Sequence, residues 1–370
     1  MSDSAPDSEG ETITTYELLE RSARAALELQ REGGSFPSGR NYTYDEPETP
    51  VRTTSQWTIV LSEAYEITNN KKFRDATNTA VDYLLNEELR PHGYTFHCRN
   101  ASGKDHCNGL VGQAYPIRAL THAGLILERD DAIEAAKEVF ELHPFNEDLG
   151  IWERVEITGE RLSFDRTLNH QILFAAGCAE LIPESQLATD RINTFLNHLK
   201  ENMRLHSDGL IKHYIRPSPF KSITATVREP RHWRLLLNEA VHHYYSRSTK
   251  RRKKEIGYQC INLRGLAQIK ESVPDHHFWR TELFEKIANS PFIEECKEVL
   301  YGSIIPGTNA AWTSISFNND IDSAASYIAL DLSTSSNSDQ HLLGSSAVND
   351  IDQLSVISFL VGLPNIEVEI

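Results

Sequence analysis

The 370-residue chain is short of positive charge. Its 53 Asp and Glu outnumber 37 Lys and Arg, for a formal net charge of −16 and a pI near 5.4. That balance argues against general nucleic-acid binding, which needs a basic footprint. No apolar run reaches the roughly 18 residues of a membrane-spanning helix. The first eleven residues are polar and acidic, without the basic start and apolar core of a signal peptide, so a cytoplasmic protein is expected. Five cysteines, Cys98, Cys107, Cys178, Cys260 and Cys296, form no even disulfide framework, which fits a reducing compartment. A glycine-rich phosphate loop, a Rossmann fingerprint, a nucleophile elbow and a metalloprotease helix are all missing, and no cofactor is expected. His97-Cys98 and His106-Cys107 match no standard zinc spacing, so no metal is expected either. Strand–helix alternation is absent as well, which excludes a parallel sheet.

What is present is a repeat. Gly34-Ser35-Phe36, Gly93-Tyr94-Thr95-Phe96-His97, Gly150-Ile151-Trp152-Glu153-Arg154 and Gly209-Leu210-Ile211-Lys212-His213 recur with glycines 59, 57 and 59 residues apart. A fixed period of this size is one supersecondary unit used repeatedly, and six units need about 354 residues. Helical spacing is read over 16–31, 55–68, 73–86, 108–127, 132–142, 167–181 and 185–203. It continues over 233–246, 257–272, 278–288, 320–332 and 348–360. Thr158-Gly159 between 149–157 and 161–164 predicts a hairpin. The expectation is an all-α (α/α)6 barrel of about twelve helices, with short β-hairpins at one end. It fills a single domain, 13–370, behind a disordered tail, 1–12.

The stretches after the pulses enter helices through unusually polar starts: 48–57, 104–113 and 165–171. In a barrel these converge on one cavity. Asp105 and Asp165 are one repeat apart and are candidates to divide acid and base roles. The plainer reading is that each caps a helix. His97 and His170 are candidates for proton transfer, because an imidazole titrates near neutrality. Arg52, Arg99, Arg154 and Arg166 gather positive charge at the same end, which suits an anionic substrate. Trp57, Tyr94 and Trp152 offer aromatic faces for a sugar ring, although aromatics more often fill a core. Gln113, Asn169, Gln171 and His213 are the accompanying polar candidates. The basic run 247–254 reads either as a solvated loop or as a contact with phosphate or an anionic membrane surface.

Taken together, 34–37, 48–52, 92–97, 107–114, 143–145 and 165–171 resemble the AglQ-type proteins of archaeal N-glycosylation gene clusters. The likeness covers roughly residues 15–290. More distantly the chain is similar to (α/α)6-barrel sugar enzymes such as unsaturated glucuronyl hydrolases and N-acylglucosamine 2-epimerases. The resemblance implies a role in assembling a hexuronic-acid-containing glycan of surface-layer glycoproteins. It also implies an Asp at inner-helix starts one repeat apart, which Asp105 and Asp165 satisfy. The epimerase histidine pattern is not intact; His170, His97 and His213 are its available counterparts.

The leading expectation is an enzyme that isomerises or epimerises a hexuronic acid, or its nucleotide-activated or lipid-linked form. Asp165 or His170 would remove a proton and His97 or Asp105 would return it. Glycosyltransferases are expected partners. The alternatives are a glycoside hydrolase of the unsaturated-glucuronyl type and a non-catalytic glycan-binding scaffold.

Overall fold

The chain is described by a computed structural model over residues 12–41, 46–237, 244, 248–290, 295–296, 306–334 and 357–369, and the structural statements below concern these residues. The expected tail lies almost wholly outside them. So do Arg247 of the basic run and most of the helices expected over 233–246 and 348–360.

Helical periodicity resolves into two rings. Helices α1 (Thr15–Leu29), α3 (Lys71–Leu84), α5 (Asp130–Leu142) and α7 (Gln186–Asn202) bury one stripe each, as on α3, where Phe73, Ala76, Thr77, Ala80, Val81 and Leu84 point inward. They form the outer ring. Helices α2 (Val51–Thr68), α4 (Gly109–Leu127) and α6 (Leu168–Ala179) are buried nearly all round and form the inner ring. Helix α8 (Pro219–Arg228) follows α7, and the inner ring continues with α9 (Thr249–Ser272). Then come α10 (Glu282–Ala288), inner α11 (Pro306–Thr313) and α12 (Ile321–Thr334). Neighbouring inner helices pack in the order α2, α4, α6, α9, α11. The fold is the expected (α/α)6 barrel. The ends of the chain help close it: β1 (Thr12–Thr14) pairs antiparallel with β7 (Glu367–Glu369), and Thr15 N–H donates to the Ile366 carbonyl at 2.9 Å.

The pulses sit in the connections from an outer to the next inner helix, hence at one end of the barrel. Their glycines all have positive φ, between 63° and 92°. At Gly150 a Cβ would fall 2.5 Å from His198 on the next outer helix, so no larger residue fits. Two residues on in three repeats, and three in the second, an inner-helix side chain grips the backbone. Thr54 Oγ1 accepts the Phe36 N–H at 3.0 Å, and Gln113 Oε1 that of Phe96 at 2.8 Å. Gln171 Oε1 accepts the Trp152 N–H at 3.0 Å, and Gln259 Oε1 that of Ile211 at 3.1 Å.

Three short strands give the third repeat a small sheet, β4 (Phe145–Asn146), β5 (Ile151–Val155) and β6 (Arg161–Phe164), with the expected turn at Gly159. In the first repeat β2 (Arg40–Asn41) pairs with β3 (Glu46–Pro47).

Two helices escaped the periodicity reading, α8 and α11, and α9 starts eight residues before position 257. The basic run from Lys250 to Lys254 is therefore helical rather than a loop, with the Ser248 side chain accepting the Arg251 N–H at 3.3 Å. A helical turn made of cations has no apolar stripe to read. Helix α11 is buried from Gly307 to Thr313, and Asp331 on α12 fastens its start by accepting the Gly307 N–H at 2.9 Å.

Candidate functional site

Helix α4 begins at Gly109, whose φ of +61° and missing side chain leave room for a carboxylate from the next repeat. A Cβ there would lie 2.8 Å from Asp165 Oδ2. Asp165 is buried and its oxygens are spent locally. Oδ1 accepts the Thr167 N–H at 3.2 Å, and Oδ2 the Leu110 N–H at the start of α4 at 3.4 Å. Oδ2 also lies 2.8 Å from His170 Nδ1. Burial alone would raise this carboxyl, but His170 and Arg154 outweigh it and hold the group far below the usual carboxylate range. The helix N-terminus works in the same direction. A carboxylate only accepts, so Nδ1 of the half-buried His170 donates to Oδ2.

Asp105 is joined to this pair through an arginine. Arg154 Nη1 donates to Asp105 Oδ2 at 3.0 Å, while Asp105 Oδ1 accepts from Arg99 at 3.0 Å and from the Gly109 N–H at 2.9 Å. Burial pushes Asp105 up, but Arg99 and Arg154 pull it below its ordinary value. The plainer reading of these aspartates has geometric support, since each steadies the start of α4, and each is held as a carboxylate. Neither can act as a proton-donating acid near neutrality.

Arg166 adds a cation beside Arg154. Its Nη1 donates to the Arg234 carbonyl at 2.7 Å and it lies over the Tyr214 ring, and among the described residues no carboxylate pairs with it. Burial and the neighbouring cations Arg234 and Arg154 lower its pKa. His213 follows in the fourth repeat. Its carbonyl accepts the Leu168 N–H at 2.9 Å, and its ring stacks on Tyr258 at 5.4 Å. Burial, then Lys254 and Arg251, hold its imidazole neutral. Asn169 is buried at the start of α6, with an Oδ1 that has no hydrogen-bond partner. Asp165, His170, Arg154, Arg166 and His213 are thus gathered at one end of the barrel, with Asp105 and Arg99 behind Arg154.

The other expected contacts are placed elsewhere. Trp57 and Trp152 are fully buried, Trp57 against Phe36 and Trp152 against Phe145, Phe174 and Phe195, so both are core rather than sugar platforms. Gln113 and Gln171 are likewise fully buried and committed to the backbone bonds given above. The Tyr94 ring covers Gly159 of the hairpin turn. Arg52 pairs with Glu48 at 2.5 Å. His97 packs edge-on against His106 at 5.3 Å, with a buried Nε2 that lacks a hydrogen-bond partner, and makes no contact with Asp165 or His170. Cys98 and Cys107 are buried thiols whose pKa burial pushes up, the reverse of a metal-ready thiolate.

Sequence reasoning missed a second cluster on the hairpin. Glu153, buried, lies 2.9 Å from Arg161 and 3.4 Å from Arg231, and His232 sits 3.6 Å from it and 3.2 Å from Glu229. Glu153, Glu229 and His232 present three ligand atoms within 4.8 Å of one another. Two guanidiniums already balance the two carboxylates, so the donor set fits an ion-pair network better than a cation site. His232 stacks on Phe164 at 4.0 Å, which ties the 219–235 stretch to β6. The adjacency Glu153-Arg154 was the available signal, but strand alternation sends the two side chains to opposite faces.

No family model matches the chain. It is 40% identical over 288 residues to archaeal glycosylation protein Q of Haloferax volcanii, covering 76% of this chain and 77% of that one. Among solved structures, a D-mannose isomerase superposes with a TM-score of 0.62 at 13% identity, covering 97% of this chain and 99% of the other. Cellobiose 2-epimerase from Spirochaeta thermophila gives 0.57 at 11% identity, covering 93% and 96%. The GH76 alpha-mannanase of Bacteroides thetaiotaomicron gives 0.55 at 11%, covering 94% of each. These likenesses show the (α/α)6 fold.

Proposed function

This chain belongs to the archaeal glycosylation protein Q family, and we propose that it is a sugar-processing enzyme of protein N-glycosylation that isomerises or epimerises a hexuronic acid. The substrate is the free acid or its nucleotide-activated or lipid-linked form, and glycosyltransferases are its partners. The observation that carries this reading is the Asp165–His170 pair, with a bond of 2.8 Å, beside the guanidinium of Arg166, which donates to the Arg234 carbonyl and pairs with no carboxylate among the described residues. His170 Nε2 removes the proton from the carbon beside the carboxylate or carbonyl. Asp165 stabilises the imidazolium that forms and fixes its tautomer. Arg166, with Arg154, binds the acid group and stabilises the negative charge that develops on its oxygens. In isomerisation the imidazolium returns the proton to the adjacent carbon of the enediol and His170 is neutral again; epimerisation requires the intermediate to turn its opposite face to the same imidazolium before the proton returns.

Hydrolysis is the weaker reading. Most glycoside hydrolases use one protonated carboxylic acid opposite a carboxylate, and an unsaturated-glucuronyl-type enzyme would need Asp165 to donate a proton. Asp105 and Asp165 are both held as carboxylates by Arg99, Arg154 and His170.

The test is incubation of the purified chain in D2O with free, nucleotide-activated and lipid-linked hexuronic acids. Deuterium should enter at the carbon beside the carboxylate or carbonyl, and His170→Ala should abolish the exchange. Release of a free uronic acid would move the reading to a hydrolase. Binding without exchange would leave a glycan-binding scaffold.

A further inference from the structure

Between α7 and α9 the chain inserts α8 and a 3-10 turn, Pro230–Leu235. Both are inside out. On α8 the small residues Ser222 and Ala225 face the protein, while Phe220, Ile223 and Val227 are 79%, 51% and 76% exposed. The latter three, spaced i, i+3 and i+7, form one outward stripe. In the following turn His232 and Leu235 are buried, and Trp233, Leu236 and Leu237 are turned to solvent. An open groove lined by Pro217, Pro219, Ile223, Leu235 and Leu236 separates the two. A soluble surface does not ordinarily leave so many large apolar side chains uncovered in one patch.

The charge around the patch says what covers it. Residues 216–237 and 248–254 carry ten Lys and Arg and a single Glu, in a chain whose net charge is −16; Lys221, Arg228, Arg231 and Arg252 pair with Glu201, Asp148, Glu229 and Asp208, and a cationic excess remains. Lys250 and Lys253 at the start of α9 are exposed, and Arg228 at the end of α8 is 67% exposed. An apolar helix face with an exposed Trp and a surrounding set of cations is the pattern of an element that lies in the plane of an anionic bilayer.

We propose that α8 and the Pro230–Leu235 turn dock this protein on an anionic membrane surface. The element is fixed to the mouth of the barrel. Arg166 donates to the Arg234 carbonyl at 2.7 Å, and His232 stacks on Phe164 at the end of β6, one residue before Asp165. Docking therefore sets the Asp165–His170 end of the barrel against lipid headgroups. The membrane contact does not depend on the catalytic reading.

The experiment is flotation of the full chain with vesicles of phosphatidylglycerol and, separately, of phosphatidylcholine. The chain should float with the anionic vesicles about tenfold more than with the neutral ones, and added salt should weaken but not abolish the binding. Trp233 is a built-in probe, since Trp57, Trp152, Trp279 and Trp312 are all buried. Its fluorescence should be quenched by brominated lipid. The double variant Phe220→Ser with Val227→Ser should lose most of the binding while keeping its thermal midpoint, because both positions are exposed. Absence of flotation and quenching with a folded chain overturns the proposal. So does a dimer in sedimentation that those two substitutions dissociate, since a second copy would then be the occupant.

Discussion

His170 Nδ1 sits 2.8 Å from Asp165 Oδ2, and the same oxygen lies 3.4 Å from the Leu110 amide at the start of the neighbouring inner helix. One carboxylate therefore orients the imidazole and anchors a helix belonging to the preceding repeat. On the proposed mechanism that dual use divides the roles: the buried, strongly acidic Asp165 would position, and the half-exposed His170 would transfer the proton.

The first prediction separates those roles. His170→Ala should fold normally and lose about a hundredfold or more in exchange rate, the usual yield of a positioned acid–base group. Asp165→Asn keeps an oxygen that accepts the imidazole N–H but removes the charge that favours the imidazolium. It should also fold, with a rate reduced by about a hundredfold. Thermal unfolding beside deuterium exchange reads both, and full activity in a well-folded Asp165→Asn protein removes Asp165 from the mechanism.

Arg154 serves Asp105 directly and Asp165 electrostatically, so Arg154→Gln should be felt most at high pH. Both carboxyls have lowered folded-state pKa values. Each thus contributes stability above its ordinary pKa of about 3.9, and the contribution fades as pH falls through the lowered folded value. The gap in thermal midpoint between wild type and Arg154→Gln should stay level from pH 7 to about pH 5 and narrow as pH falls further. A gap that widens on acidification would contradict the assignment.

How much of this was legible in sequence follows from what each residue is doing. The glycine spacing announced the repeat, because a positive φ favours glycine at Gly34, Gly93, Gly150 and Gly209. The polar helix starts located Asp105, Asp165 and His170 for the same periodic reason. What the residue types could not convey was commitment. Gln113 and Gln171 have the chemistry of sugar ligands, yet they close backbone bonds that repeat at Thr54 and Gln259. Trp57 and Trp152 have the faces of sugar platforms and are core. Helix α8 was missed because its apolar side faces outward, so its pattern matches no buried stripe.

The glutamine grip gives the third prediction. Gln113 is fully buried and bonded to the Phe96 N–H, the Phe96 carbonyl and the Cys107 carbonyl at 2.8, 2.9 and 2.8 Å. Gln113→Ala strands those groups, at a cost on the order of 3 kcal/mol. The loss should register in chemical denaturation, with little change in KM for the protein that stays folded. A stable variant with a raised KM would return Gln113 to the substrate site.

The last prediction concerns a charged knot on the inner helices, away from His170. His122 on α4 has Nε2 3.2 Å from Glu63 on α2 and Nδ1 3.3 Å from Glu180, the residue that follows α6, which Arg118 also binds at 2.8 Å. Burial opposes the charged imidazole, but the two glutamates outweigh it and raise His122 from 6.5 to about 9. Burial likewise opposes the Glu180 charge, and Arg118 and His122 overcome it, lowering the group from 4.5 to about 2. The raised histidine contributes its full stability below pH 6.5 and loses it as pH climbs through 9. The lowered glutamate contributes above pH 4.5 and loses its share as pH falls through 2. His122→Phe removes the histidine's part, on the order of 2 kcal/mol, at mildly acidic pH. Denaturation curves for wild type and His122→Phe should lie furthest apart near pH 6 and draw together by pH 10. A difference that stays flat across that range would mean that His122 is neutral in the fold and packs without its charge.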